Sequence, residues 1–191
     1  MRAAVVGHVE WIQFALVDHV PTAGEIVHSE GSWEEPGGGG AVAAVQLAKL
    51  TGDCDFFTAV GDDELGARSV RELEALGLSV RAAVRDAPTR RAVTFIDPTG
   101  ERTITTFGER LEPGGDDPVP WSKLQRADCA YVTAGDARAF EHARAARVLV
   151  VTTRALDLLA ASRVHADAVV GSAQAIPRSD TTPPPSPPPP S

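Results

Sequence analysis

Pro36-Gly37-Gly38-Gly39-Gly40-Ala41-Val42-Ala43-Ala44-Val45-Gln46-Leu47-Ala48-Lys49-Leu50 sets four glycines directly before an apolar, alanine-rich segment. Glycine lets backbone pass close to a ligand, and a helix start aims its unbonded N–H groups outward. The run predicts a helix from about Ala41 to Leu50 with a binding surface at its beginning. It is no P-loop, because Lys49 lies deep in the helix and no Ser or Thr follows a Gly-Lys pair. It is also a poor dinucleotide fingerprint, since Trp33-Glu34-Glu35-Pro36 separates the glycines from any buried strand. Taken alone, the run reads equally as a flexible loop ahead of a helix.

On the amino side of the glycines, Ala3-Ala4-Val5-Val6 ending in Gly7 reads as a short buried strand. Ile12 to Asp18 and Ile26 to Trp33 read as extended stretches around a turn at Pro21 and Gly24. On the carboxyl side, Phe56 to Val60 is a strand, and Asp62 or Asp63 caps a helix from about Leu65 to Leu76 that Gly77 closes. Arg91 to Ile96 and Arg102 to Phe107 flank Asp97-Pro98-Thr99-Gly100, whose residues suit a type I turn and hence a β-hairpin. Glu112 to Pro120 is a surface loop. From Trp121 onward, strands at 129–133, 148–151 and 168–170 alternate with helices at 121–126, 137–146 and 156–162. That alternation predicts a parallel sheet with helices on both faces.

The glycine-headed helix, Gly61-Asp62-Asp63-Glu64-Leu65-Gly66 and Gly100-Glu101-Arg102-Thr103-Ile104-Thr105 come in an order that resembles the ribokinase-like (PfkB-type) carbohydrate and nucleoside kinases. The resemblance covers about Arg2 to Ser172 and starts with Val5-Val6-Gly7-His8-Val9-Glu10-Trp11 in the place of the family's opening strand. It implies an α/β fold of three layers, with a mostly parallel sheet and a small β lid formed by segments at about 11–33 and 90–107. It implies a domain over 1–176 and a missing C-terminal part, while the proline-rich composition of 177–191 reads as a disordered tail. The implied activity is ATP-dependent phosphorylation of a sugar or nucleoside hydroxyl, with ATP and Mg²⁺ as the intact family's cofactors.

Site residues follow from the same resemblance. Gly38 and Gly39, with Gly40 beside them, stand where the family packs a glycine pair against the sugar, and Thr94 and Arg102 fall in the lid. Two positions depart from the family: Val42 replaces an Asn, and Ile12 stands near where an Asp binds sugar hydroxyls. Glu10 and Gln13 are the nearby substitutes; Glu10 reads equally as a hydroxyl acceptor or a solvated loop carboxylate. Trp11 reads as a stacking platform or as core.

The family's catalytic Gly-Ala-Gly-Asp segment does not occur in the 191 residues. Thr133-Ala134-Gly135-Asp136 has its local shape but comes too early, and Asp136 is equally explained as a helix N-cap. Gly171-Ser172-Ala173-Gln174 stands where an Asn-x-x-Glu segment would help organise Mg²⁺, and it holds no carboxylate. No catalytic residue and no metal ligand is therefore assigned, and the five dispersed histidines receive no role. The expected chain is a sugar-side domain, truncated and inactive on its own. The alternative is a non-catalytic module binding a small polyol or nucleoside.

Composition agrees with a globular domain: 43% of residues are hydrophobic and 23% charged. A net charge of −8 with scattered Lys and Arg argues against nucleic acid and anionic membranes as partners. Cys54 and Cys129 lack metal or disulfide spacing and read as buried thiols in a cytoplasmic setting. Seven of the final nine residues are proline, which reads as a polyproline ligand, a stiff spacer or a frameshift product. The expected partners are a small sugar or nucleoside and, through the lid, a second copy in a homodimer.

Overall fold

The computed structural model describes residues 1–172. The proline-rich tail expected over 177–191, and the last residues of the expected 1–176 domain, lie outside them. The chain order is β1 (Ala3–Val6), β2 (Glu10–Leu16), β3 (Gly31–Gly37), α1 (Gly38–Thr51), β4 (Cys54–Gly61), α2 (Glu64–Ala75), β5 (Leu78–Arg85), β6 (Arg91–Ile96) and β7 (Arg102–Phe107). It continues through a 3₁₀ turn at Trp121–Arg126 to β8 (Cys129–Val132), α3 (Ala137–Ala143), β9 (Val148–Thr152), α4 (Leu156–Ser162) and β10 (Ala168–Val170).

Six strands form one sheet in the order β10-β9-β8-β1-β4-β5, every neighbouring pair parallel. β1 shows why the sheet needs cover on two sides. All four of its residues are buried, and they alternate between two cores. Ala3 and Val5 pack with Phe56, Ala41, Ala44, Ala48 and Leu73 on the α1 and α2 side. Ala4 and Val6 pack with Phe57, Phe140, Ala143 and Leu149 on the α3 side. This gives the expected three-layer α/β fold, and a strand apolar on both faces can sit only in its middle.

The second sheet, in the order β3-β2-β6-β7, is the lid. β2 and β6 run parallel in its centre, with β3 and β7 antiparallel at its edges. The hairpin between β6 and β7 turns as expected: the Gly100 N–H donates to the Asp97 carbonyl at 2.9 Å, and Asp97 Oδ1 accepts from the Thr99 N–H at 2.8 Å.

Three expectations shift. The extended stretch expected over Ile26 to Trp33 lies instead at Gly31–Gly37, with Ile26 85% exposed before it. Trp33-Glu34-Glu35-Pro36 is therefore strand and not spacer, because an edge strand tolerates proline and two carboxylates. The helix starts earlier than expected, so Gly38, Gly39 and Gly40 form its first turn. β5 is an additional strand that pairs with β4 over its full length. No helix among the described residues is long and apolar enough to cross a membrane.

Candidate functional site

The sheet order creates a switch point. From β1 the chain builds outward through β4 and β5 on one side, then returns to build β8, β9 and β10 on the other. The α1 and α3 crossovers leave opposite faces, so a crevice opens between the carboxyl ends of β1 and β8, where α/β sheets bind ligands. Gly7 and His8 follow β1 there, and Thr133, Ala134 and Gly135 follow β8. The two segments touch, with the Thr133 N–H donating to Val6 O at 2.9 Å.

The first turn of α1 forms the floor. Gly38 has φ +88, and a Cβ there would stand 3.0 Å from the His8 ring and 3.3 Å from Glu10 Cγ. A Cβ at Gly40 would come 2.6 Å from His8 O and 2.8 Å from Gly7 C. The floor is therefore main chain pressed on main chain. No side chain caps the helix. Two of its first-turn donors turn to His8: the Gly39 N–H donates to Nε2 at 3.4 Å and the Ala41 N–H to the His8 carbonyl at 3.3 Å.

His8 is then fixed in one tautomer. Nε2 accepts, so Nδ1 carries the proton, and this buried Nδ1 has no hydrogen-bond partner among the described residues. Burial, followed by the nearby Arg110, Arg90 and Arg154 guanidiniums, pushes the imidazole down to about 4 and keeps it neutral at ordinary pH. Thr133 Oγ1, which lies against Gly7, is a second buried and unpartnered group. A buried polar atom without a partner costs stability. Both stand at the switch point and are left unmet by the described protein atoms.

Glu10 opens β2 with its stem against Gly38, and its Oε2 lies 3.4 Å from Arg90 Nε with only 12% of the side chain exposed. It is thus a paired carboxylate at the crevice and not a solvated one. Arg90 Nη2 also donates to Thr106 Oγ1 at 2.7 Å, tying the pair to the hairpin. Thr94 lies beside Phe14 in the β2–β6 register, which puts it on the same lid face as Glu10. It is 1% exposed, and its Oγ1 is unpartnered among the described residues.

Gln13 is exposed and, at an odd spacing from Glu10, occupies the opposite face of β2. Arg102 pairs with Ile96 at the far end of the lid, about 20 Å along the strands from Glu10. The structure therefore brings together Glu10, Gly38, Gly39 and Gly40, and leaves Gln13 and Arg102 apart. Trp11 is core: it is 3% exposed, lies 4.3 Å under the Arg68 guanidinium, and donates from Nε1 to Glu34 at 3.3 Å.

Asp136 is an N-cap. Its Oδ1 accepts from the Ala139 N–H at 2.8 Å and from the Gly115 N–H at 2.9 Å. His8 and Thr133 stand at the ends of β1 and β8 and carry no role in the sequence reading. For His8 a signal exists, because it follows the glycine that ends the first buried strand. Among the described residues no group of three or more His, Cys, Asp or Glu is arranged to hold a metal ion. Val170-Gly171-Ser172 brings no carboxylate to the end of β10.

The model of the pfkB family carbohydrate kinases matches residues 2–169. An ATP-dependent ribose-1-phosphate kinase of Halopiger xanaduensis is 27% identical over 135 residues, covering 70% of this chain and 46% of the relative. A ribokinase of Dictyostelium discoideum is 28% identical over 106 residues, covering 54% of this chain and 33% of the relative. Among solved structures, Arabidopsis thaliana ribokinase complexed with ribose and ATP superposes with a TM-score of 0.59 at 20% identity, over 79% of this chain and 53% of that one. That last likeness is one of fold. The chain spans less than half the length of the curated relatives it matches.

Proposed function

The chain belongs to the pfkB family of carbohydrate kinases, and on that premise we propose that residues 1–172 hold the sugar whose hydroxyl the family phosphorylates. The observation that carries this reading is the switch-point crevice: a main-chain floor, a β lid, and buried polar groups without protein partners. In this reading the first turn of α1 lies against the sugar ring. His8 Nδ1–H donates to a sugar oxygen, and Glu10, oriented by Arg90, accepts from a sugar hydroxyl. Thr133 and Thr94 supply hydroxyls from the sheet and the lid. Gln13 and Arg102 belong to the lid's outer surface and rim.

The chain's own groups bind and orient; they exchange no proton with the substrate. Asp136 is occupied as a cap, and no other residue is offered as a general base. The phosphoryl donor of the family is ATP with Mg²⁺. The partners we assign are a neutral or anionic sugar and a second copy across the lid. Two free thiols suit a reducing, cytoplasmic setting.

Thermal-shift and calorimetric titrations of the purified 191-residue chain with ribose, fructose and adenosine test the reading. Saturable binding that weakens at least about tenfold in Glu10→Gln supports it. No binding by any of them overturns it. A coupled ADP-release assay on the same protein is expected to stay at background. Turnover there would overturn the assignment of binding without catalysis.

A further inference from the structure

The loop that joins β2 to β3 is anchored to the lid at its two ends. The Val17 N–H donates to Ile96 O at 3.0 Å. At the other end the Glu30 N–H donates to Leu16 O at 2.9 Å, and Ser29 Oγ donates to Gly31 O at 2.7 Å. None of residues 18–30 is buried, so no apolar packing orders the chain between these anchors. Hydrogen bonds do so instead. Among the described residues, those of 18–28 all run through Asp18, His19, Thr22 and Glu25.

His19 sits at the centre of this group. Its Nε2 lies 2.8 Å from Glu25 Oε1, and its Nδ1 lies 2.9 Å from Asp18 Oδ1. A carboxylate only accepts, so a ring facing two of them needs a proton on each nitrogen. A neutral imidazole has one N–H and would turn a lone pair toward the other carboxylate. Glu25 closes the loop from the opposite side: its Oε2 accepts from the Thr22 N–H at 3.0 Å and from Thr22 Oγ1 at 2.9 Å. His28 and Glu30, the loop's other titratable residues, form no ion pair with this group among the described residues.

We propose that the His19 imidazolium is the clasp of the β2–β3 loop, so that the lid tip is ordered while the ring is charged and released when it loses its proton. The Glu25 hydrogen bond, then the Asp18 charge, hold the ring above its ordinary 6.5. The Thr22 N–H, then His19 and the Thr22 hydroxyl, bring the Glu25 carboxyl from 4.5 down to about 2. A raised imidazole contributes fully below 6.5 and is lost as pH climbs past its folded value. A depressed carboxyl contributes fully above 4.5 and is lost as pH falls toward about 2. Loop order is therefore bell-shaped in pH. A solvated clasp is screened by salt, so it governs the loop locally and adds little to the stability of the domain. The inference is independent of the crevice and its ligand.

A side-chain NMR titration of the purified 191-residue chain, with backbone ¹⁵N relaxation across the loop, tests this. His19 is expected to titrate above a free imidazole. As it does so, order parameters in the loop should fall from about 0.85 to below about 0.6. Glu25→Gln should lower the His19 titration point. His19→Gln should leave the loop mobile at every pH while β2 and β3 keep their order, and His28→Gln should change neither. High salt should move the loss of order to lower pH. A His19 titration at or below that of a free imidazole overturns the proposal. So does a loop equally ordered on both sides of that titration, or one that stays ordered in His19→Gln at about pH 6.

Discussion

Gly38 and His8 depend on each other. At φ +88 any L side chain is strained, and at Gly38 it would also strike the His8 ring. Gly38→Ala is therefore expected to cost roughly 1–2 kcal/mol in urea unfolding and to displace the imidazole from the floor. His8 makes stability depend on pH in one direction. Its folded value of about 4 lies below its ordinary 6.5. Above pH 6.5 both states are neutral and nothing is gained or lost. Between 6.5 and 4 the unfolded chain takes up a proton that the folded chain refuses, so stability falls as pH falls. The loss amounts to roughly 2–3 kcal/mol across that window. Chemical denaturation at stepped pH should show this slope, and His8→Asn should flatten it.

Among the elements, the lid and α2 are fastened by small groups of polar contacts. Arg68 lies over Trp11, 2.6 Å from Glu72 and 3.6 Å from Glu34 of β3. Arg68→Ala should cost less than about 1 kcal/mol overall yet raise amide exchange selectively in β2 and β3. Asp63 joins α2 to the segment entering the lid, accepting from the Gly66 N–H at 2.7 Å and the Thr89 N–H at 2.7 Å. Loss of this cap in Asp63→Ala should cost about 1–2 kcal/mol, read as a lower unfolding midpoint. The capped helix was legible in the sequence because its signal is local: an acid, three residues, then an apolar face. The β6–β7 hairpin was legible for the same reason through Asp97 and Gly100. β3 was not, because Glu34, Glu35 and Pro36 are tolerated only at an edge, and edge status is a property of the assembled sheet. β5 hides its pattern behind Arg81 and Arg85, whose charges are met by Asp55 and Asp117 from elsewhere. The pairing of Glu10 with Arg90 is least legible, since the two meet only through the parallel register of β2 and β6.

Across the whole molecule, the two-sided core sets stability and the open strand edges set association. Phe57 stacks on Trp121 at 5.0 Å, and Trp121 stacks on His142 at 5.0 Å, joining sheet, 3₁₀ turn and α3. Phe57→Ala should cost about 3–5 kcal/mol and approach the stability of the whole domain. β7 is exposed along its full length, with Ile104 and Phe107 50% and 47% accessible. An edge of that kind pairs readily. Sedimentation should show a dimer that Thr105→Pro converts to monomer without unfolding it. The main-chain floor has a separate consequence for anyone seeking to redirect the ligand preference. Atoms common to every amino acid cannot be retuned by exchange, so randomised libraries at 38 and 40 should return only collapsed or unchanged proteins. Diversity introduced at 10 and 94 is where altered selectivity should emerge, which makes the crevice half fixed template and half adjustable dial.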